Sequence, residues 1–411
     1  MNNSLHSIRS AVITFVVLLL IAYLIWELYW YNEVGLTFIK WHTHLMFYIY
    51  TAILLFCAYK FLFPKASNLV KNIFLTLGSV LFSLFTVEVF LSVLGVNQTE
   101  IEQVSGGYVS PYEILIKKNP YHIWPAGKDH WLAGDGFRYL RHVNSLGFTD
   151  PEWRLKKNSK EIRILALGDS FTEGDGAPYD SNYVALMEKL LSSSGDPTYL
   201  MNAGTCGSDP FFNFVNLRDR LLTYKPDIVI QSIGSGDMDQ DILTRGGMER
   251  FQKEKLSSSR WESIYAINYV SRLFFSLAGY NPLTIKQAIP ENEKRTINTK
   301  TAALFRDYSA LCLKNNIKLF VVLHPVEREV ENNNYNYDFA PLIKSMSADK
   351  NIQVIDLLPY YRAYIASAHN KAADYYWMHN GHHNSKGYEM MAETTLQNIA
   401  PYLHDTIPQS K

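Results

Sequence analysis

Hydrophobic positions fall into two regimes along this chain of 411 residues. Over the first hundred positions they run almost unbroken. Each of three runs holds a single charged residue: Glu27 in Ala11 to Trp30, Lys60 in Leu45 to Phe63 and Glu88 in Ile73 to Gly95. Each run approaches the roughly 20 residues a helix needs to cross a bilayer core. With no water there, helix is the state in which such a run satisfies its own backbone. The pattern predicts three transmembrane helices within residues 1–95. The first run is too long for a cleaved leader, lacks a small-x-small site and is followed by two more apolar runs. After residue 160 the apolar runs become short and recur: Ile162 to Leu167, Thr198 to Ala203, Asp227 to Ile233, Ile317 to Leu323 and Ile352 to Leu357. Their length and β-branched content predict buried strands. Helical patterns lie between them, at about Asp180 onward and Pro210 to Tyr224, and another, from about Ser385 to Ala400, follows the last. Alternation of this kind argues an α/β fold with a parallel sheet and helices on both faces, and uniformly apolar strands fit burial on both sides.

Two stretches escape this alternation. Residues 96–160 form a polar connector broken by Gly106-Gly107, Pro111, Pro120 and Pro125. It carries Tyr121, His122, Trp124, His130, Trp131, Phe137, Tyr139 and His142, more aromatic character than a disordered linker holds. It is expected to pack on the following domain, residues 161–411. Within that domain an insertion is expected at about 239–316. Its segment Trp261 to Ala278 reads as a packing helix first, with a cap over the site or a membrane-surface helix as alternatives.

Charge refines the picture. Arg9 precedes the first apolar run, and Lys60, Lys65 and Lys71 flank the loop after the second, whereas the first loop holds only Lys40. The positive-inside rule then places the N-terminus in the cytoplasm, and three spans put everything after Gly95 outside it. Trp26, Trp30 and Trp41 suit interfacial anchoring. Glu88 is read as a carboxylate near the outer interface, or as a polar contact within a helical bundle. Acidic and basic residues balance at 39 each, so no net basic charge points to nucleic acid. Cys57, Cys206 and Cys312 show no metal-type spacing, and whether Cys206 and Cys312 pair depends on the fold.

The chemistry gathers at strand ends. Gly168-Asp169-Ser170 closes the first buried run and opens a glycine-rich loop. Open α/β sheets place reactive groups at such carboxyl ends. Asn202-Ala203-Gly204-Thr205-Cys206-Gly207 follows the second strand, Gly234-Ser235-Gly236-Asp237 the third, and Met378-His379-Asn380-Gly381-His382-His383-Asn384-Ser385-Lys386-Gly387 precedes the last helix. Taken in this order, the four blocks resemble those of the SGNH (GDSL-type) hydrolase family, whose fold is a flavodoxin-like parallel sheet. Asn144 to Phe148 with Asp150-Pro151-Glu152 also resembles a lead-in found in envelope-associated members.

The resemblance implies Ser170 as nucleophile, with its own backbone N–H and that of Gly207 as oxyanion donors. The third block departs from the family: Gly236 stands where an Asn side chain would donate to the oxyanion, and Asp237 and Asp239 lie nearby without an assigned role. Loss of one such donor costs on the order of 10²–10³ in turnover in other serine hydrolases. In the last block His382 aligns with the base and Asn380 with the orienting carboxylate; an alternative register selects His383 and reaches Asn380 as well. An Asn carbonyl can still accept from the imidazole, and Asp374 is a conceivable replacement. His379, His382 and His383 lack an established ligand spacing, so neither metal nor cofactor is expected.

What the resemblance implies is a membrane-anchored serine ester hydrolase or O-acyltransferase acting on acyl, chiefly acetyl, esters of cell-envelope glycans. A membrane-bound O-acyltransferase is the partner such a role suggests. The alternative, supported by Gly236 and Asn380, is a catalytically degenerate binding or scaffold protein that keeps the fold.

Overall fold

The structure is a computed structural model and describes residues 39–63, 65, 67–97, 107–108, 124–134, 136–194, 197–238, 247–248, 251, 261–280, 293–378 and 380–406. The first apolar run, with Arg9, Trp26 and Trp30, lies outside the described residues, as do Tyr121, His122, Asp239 and His379. The chain divides into two compact units, Met1–Ile114 with Leu256–Ile285, and Leu115–Lys255 with Lys286–Lys411.

In the first unit the second and third apolar runs are helical, as Trp41–Cys57 and Asn68–Leu94. One turn of π-helix, Ala58–Leu62, continues the former. Among the described residues one helix, Asn68–Leu94, is long and apolar enough to cross a membrane, while the apolar stretch Met46–Lys60 is shorter. The expectation of three spans is therefore met here by one. Asn68–Leu94 starts at Ser67, whose hydroxyl accepts from Val70 N–H, and stops at Gly95 in the left-handed region. Four of its hydroxyls are satisfied internally: Thr76, Ser79, Ser83 and Thr86 each donate to the carbonyl four residues back. Such back-bonding lets polar residues sit on a helix without seeking water.

Of the two sequence readings of Glu88, the structure shows the polar contact with another helix, not the interfacial carboxylate. It is fully buried, and Oε1 and Oε2 accept from the Tyr269 and Val270 N–H groups at 2.9 Å each. These amides open the helix Tyr269–Leu277, whose third N–H, from Ser271, goes to the Asn268 side chain. A helix start leaves such amides without intrahelical partners and attracts negative charge. Glu88 is thus a cap delivered from 181 positions away. Glu88→Ala removes both acceptors, at about 1–3 kcal/mol for each buried group left unsatisfied. Limited proteolysis is expected to cleave within 261–280 faster in that variant, and an unchanged cleavage rate would refute the capping role.

In the second unit a hairpin, β1 (His130–Gly134) and β2 (Phe137–Arg141), precedes five strands. These are β3 (Ile162–Leu167), β4 (Thr198–Asn202), β5 (Ile228–Ile233), β6 (Lys318–Leu323) and β7 (Ile352–Asp356). All pair in parallel, in the order β4-β3-β5-β6-β7. The expected flavodoxin-like sheet is present. Its strands are largely apolar because both faces are covered: Leu165, Leu167, Val229, Leu319 and Val321 enter one core, and Ile162, Ile164, Ile230, Phe320 and Val322 the other. The charged residue of β3, Arg163, is buried but satisfied by Glu161 and by the carbonyls of Leu155, Lys156 and Tyr224. Where the insertion was expected to run to 316, helix Glu293–Lys314 leads directly into β6. The strand order reverses beside β3, so the carboxyl ends of β3 and β5 flank the topological switch point where open sheets bind ligands.

Candidate active site

Ser170 is the first residue of a one-turn helix, Ser170–Glu173, directly after β3. Asp169 caps it: Oδ1 accepts from Phe171 N–H at 2.9 Å. Gly168 admits no side chain, since a Cβ there would lie 2.1 Å from Thr172 Oγ1. The nucleophile turn is therefore wound tightly, and the Ser170 side chain remains half-buried.

The turn after β4 is laced onto it. Thr205 N–H and Ser208 Oγ donate to the Gly168 carbonyl at 3.0 and 2.8 Å. A Cβ on Gly204 would fall 2.1 Å from Glu173 N, so the two backbones meet with nothing between them. Cys206 N–H donates to Glu173 Oε2 at 2.5 Å. Gly207 follows with φ +67°, a conformation that favours glycine. After β5, Asp237 Oδ2 accepts from Gly234 N–H at 2.8 Å, which gives that carboxylate a turn-closing role. A Cβ at Gly236 would meet nothing within 4 Å, so the side chain absent there leaves open space.

The last block arrives from the other end of the domain. His382 Nε2 and Ser170 Oγ are 2.7 Å apart, joining residues 212 positions distant. His382 Nδ1 is hydrogen-bonded to Asn380 Oδ1, which also accepts from the His382 N–H at 3.4 Å. An amide oxygen only accepts. The imidazole proton therefore sits on Nδ1, and Nε2 offers its lone pair to the Ser170 hydroxyl. Asp374 does not replace the missing carboxylate: its side chain accepts from Lys371 N–H and closes the turn Ala372–Tyr375.

His383, the alternative base, is fully buried. Its Nε2 lies 3.2 Å from the Tyr361 hydroxyl and its Nδ1 3.3 Å from the Tyr375 carbonyl. Burial first, then the charge on His324, push it down from 6.5 to about 3. The folded-state value lies below the unfolded one, so the stability it contributes is complete above about pH 6.5 and is lost as pH falls towards 3. Within that window unfolding free energy is expected to drop by about 1.4 kcal/mol per pH unit from this group alone. Denaturant titrations at stepped pH check this, and His383→Gln, which cannot charge, should flatten the slope.

Three groups were not singled out from the sequence. Asp175 Oδ2 lies 3.8 Å from His382 Nδ1. Glu173 is buried and gathers four donors: Trp124 Nε1, Arg141 Nη1 and Thr149 Oγ1 at Oε1, and Cys206 N–H at Oε2. His324, at the end of β6, is buried with its Nε2 3.6 Å from Asp169 Oδ2. Burial acts to raise the Asp169 carboxyl, but His324 and His382 beside it hold it below its ordinary range. Phe171 packs against His324, His382 and His383 at ring separations of 4.6, 5.0 and 5.2 Å.

Among the described residues, Asp169, Asp237 and His324 bring metal-ligand-type atoms within 4.8 Å of one another. Both carboxylates are already engaged with backbone amides. Of the His-x-x-His-His run, the two described members diverge: His382 faces Ser170 and His383 faces Tyr361. The three cysteines Cys57, Cys206 and Cys312 are free thiols.

A family model for GDSL-like lipase/acylhydrolases matches residues 166–390, more than half of the chain, and the chain belongs to that family. Similar solved structures include an acetyl xylan esterase (17% identity, 58% of this chain and 100% of that one, TM-score 0.38). Another is the Clostridium thermocellum family 3 carbohydrate esterase (17%, 60% and 99%, 0.36). A third is a two-domain esterase active on acetylated mannans (13%, 61% and 52%, 0.39), of which the match spans about half. No curated protein matches the chain.

Proposed function

We propose that the chain is a membrane-anchored serine ester hydrolase or O-acyltransferase acting on acyl esters, chiefly acetyl, of cell-envelope glycans. The observation that carries the reading is the 2.7 Å approach of Ser170 Oγ to His382 Nε2. In this reading the hydroxyl gives its proton to Nε2 as Oγ bonds to the ester carbonyl carbon, and the carbonyl electron pair moves onto oxygen. The Ser170 and Gly207 N–H groups receive that oxyanion, with only main chain available at Gly236. The C–O bond to the alcohol then breaks, the departing oxygen takes the proton from Nε2, and water or a sugar hydroxyl resolves the acyl-enzyme. Residues 1–95 serve as anchor, 96–160 as connector and 161–411 as an extracytoplasmic catalytic domain. The glycan assignment rests on the lead-in at Asn144–Glu152 and on the anchor. A transferase would draw its acyl groups from a membrane-bound O-acyltransferase partner.

A second reading, a non-catalytic scaffold, draws on the missing side chain at Gly236 and the amide at Asn380. Covalent labelling separates the two. A fluorophosphonate is expected to modify the detergent-solubilised full chain at Ser170, and an aryl acetate to be hydrolysed. Native protein that is not labelled would leave the scaffold reading. A strict transferase, slow with water, still labels.

A further inference from the structure

We propose that Asp175 supplies the negative charge that the final block of this chain lacks, as a positioning residue acting through His382; the inference rests on the esterase reading above. Asn380 accepts the Nδ1 proton and so holds the tautomer, but an amide brings no charge to the imidazolium that forms when Ser170 reacts. The structure shows a carboxylate beside the same nitrogen, from an unrelated place in the chain. Asp175 lies five residues after the nucleophile, and its Oδ2 is 3.8 Å from His382 Nδ1.

Its other polar atoms are spoken for. Oδ1 accepts from Arg141 Nη2 at 2.7 Å and from the Tyr139 hydroxyl at 3.5 Å. The main-chain carbonyl accepts from the Tyr388 hydroxyl at 2.7 Å. Those contacts turn the carboxylate so that Oδ2 is the oxygen toward the imidazole.

The backbone enforces the placement. Asp175 sits between Gly174 at φ +96° and Gly176 at φ +91°, a turn that side chains would strain. A Cβ at Gly176 would come within 2.8 Å of the Trp377 ring and 2.9 Å of the His383 carbonyl. Trp377 Nε1 donates to the Gly176 carbonyl at 3.0 Å. The nucleophile loop is thereby docked on the histidine loop with Asp175 at the seam.

Charge points the same way. The buried set is one guanidinium, Arg141, against two carboxylates, Glu173 and Asp175. It is one cation short. Proton transfer from Ser170 creates that cation on His382, so the ring gains its charge where a negative field is already fixed. Asn380 orients; Asp175 stabilises.

The test uses the full chain in detergent, with the rate of fluorophosphonate labelling at Ser170, ester turnover and the urea unfolding midpoint measured for each variant. Asp175→Asn is expected to slow labelling and turnover by about 10²–10⁴-fold. Adding Asn380→Asp returns a carboxylate to Nδ1. The double variant is expected to recover to within about tenfold of wild type, while its urea midpoint stays at that of Asp175→Asn, because Arg141 has not regained its partner. Wild-type labelling in Asp175→Asn overturns the inference. So does a slow Asp175→Asn that Asn380→Asp fails to rescue, or rescue of rate and midpoint together; each makes Asp175 merely a structural partner of Arg141. Wild-type protein that labels no faster than Ser170→Ala overturns the esterase reading itself, and the inference with it.

Discussion

Ser170→Ala is expected to abolish fluorophosphonate labelling and to reduce ester turnover by at least about 10³-fold, toward the ~10⁶ seen when a serine nucleophile is removed from a triad that acts as one unit. The size follows from what alanine deletes. Without Oγ no acyl-enzyme forms, and His382 Nε2 loses the group it contacts at 2.7 Å. Only the oxyanion donors and substrate binding remain, and these alone sustain a small residual rate over water. Stability should hardly move. Ser170 is half-buried and Asp169, not the hydroxyl, caps the helix. An unfolding free energy within about 1 kcal/mol of wild type is expected. Turnover in Ser170→Ala equal to that of the native chain would place the chemistry elsewhere or nowhere, and a parallel collapse of stability would make the loss uninformative. Steady-state hydrolysis of an aryl acetate beside urea unfolding reads both quantities on one preparation.

The elements that sequence reading locates are those whose signal is local. Strand β3 is six consecutive buried residues, because both faces of the sheet are covered, and such runs stand out in any window. Their ends then locate Ser170, the Gly204–Gly207 turn, the Gly234–Asp237 turn and His382. What stayed hidden depends on partners far along the chain. Glu88 reads as either an interfacial carboxylate or a bundle contact until the helix at Tyr269 is brought to it. Glu173 and Asp175 read as polar residues of a glycine-rich loop until Arg141, more than thirty positions earlier, makes them a buried network. Asp374 was the nearer carboxylate in sequence, yet it closes its own local turn, while Asp175 stands beside the imidazole. His324 carried no motif; only its place at the end of β6 sets it against Asp169. Periodicity reports burial of whole elements. It says nothing of which charged side chains will share one pocket.

Glu173→Gln is expected to cost about 3–5 kcal/mol of stability, the range for breaking a buried ion pair by removing one partner's charge. Glutamine preserves the shape of the side chain, so the effect isolates its chemistry. The four contacts described above all donate to the carboxylate. Trp124 Nε1 at 2.5 Å, Arg141 Nη1 at 2.7 Å and Thr149 Oγ1 at 3.0 Å reach Oε1, and Cys206 N–H at 2.5 Å reaches Oε2. A glutamine has one accepting oxygen and one NH₂. Whichever way it is turned, the NH₂ faces a fixed N–H: Cys206 in one orientation, Trp124 and Arg141 in the other. No rotamer restores the network. Function should fall further than stability predicts, because the Cys206 contact ties down the turn that carries Gly207. Urea unfolding followed by tryptophan fluorescence measures the first effect, and the labelling rate at Ser170, taken where the variant is still folded, measures the second. Trp124→Phe is the graded control. It removes one neutral donor and leaves Glu173 paired with Arg141, so about 1 kcal/mol is expected. If Glu173→Gln costs no more than Trp124→Phe, the carboxylate's charge is not what holds the connector and the Gly204–Gly207 turn against the nucleophile helix.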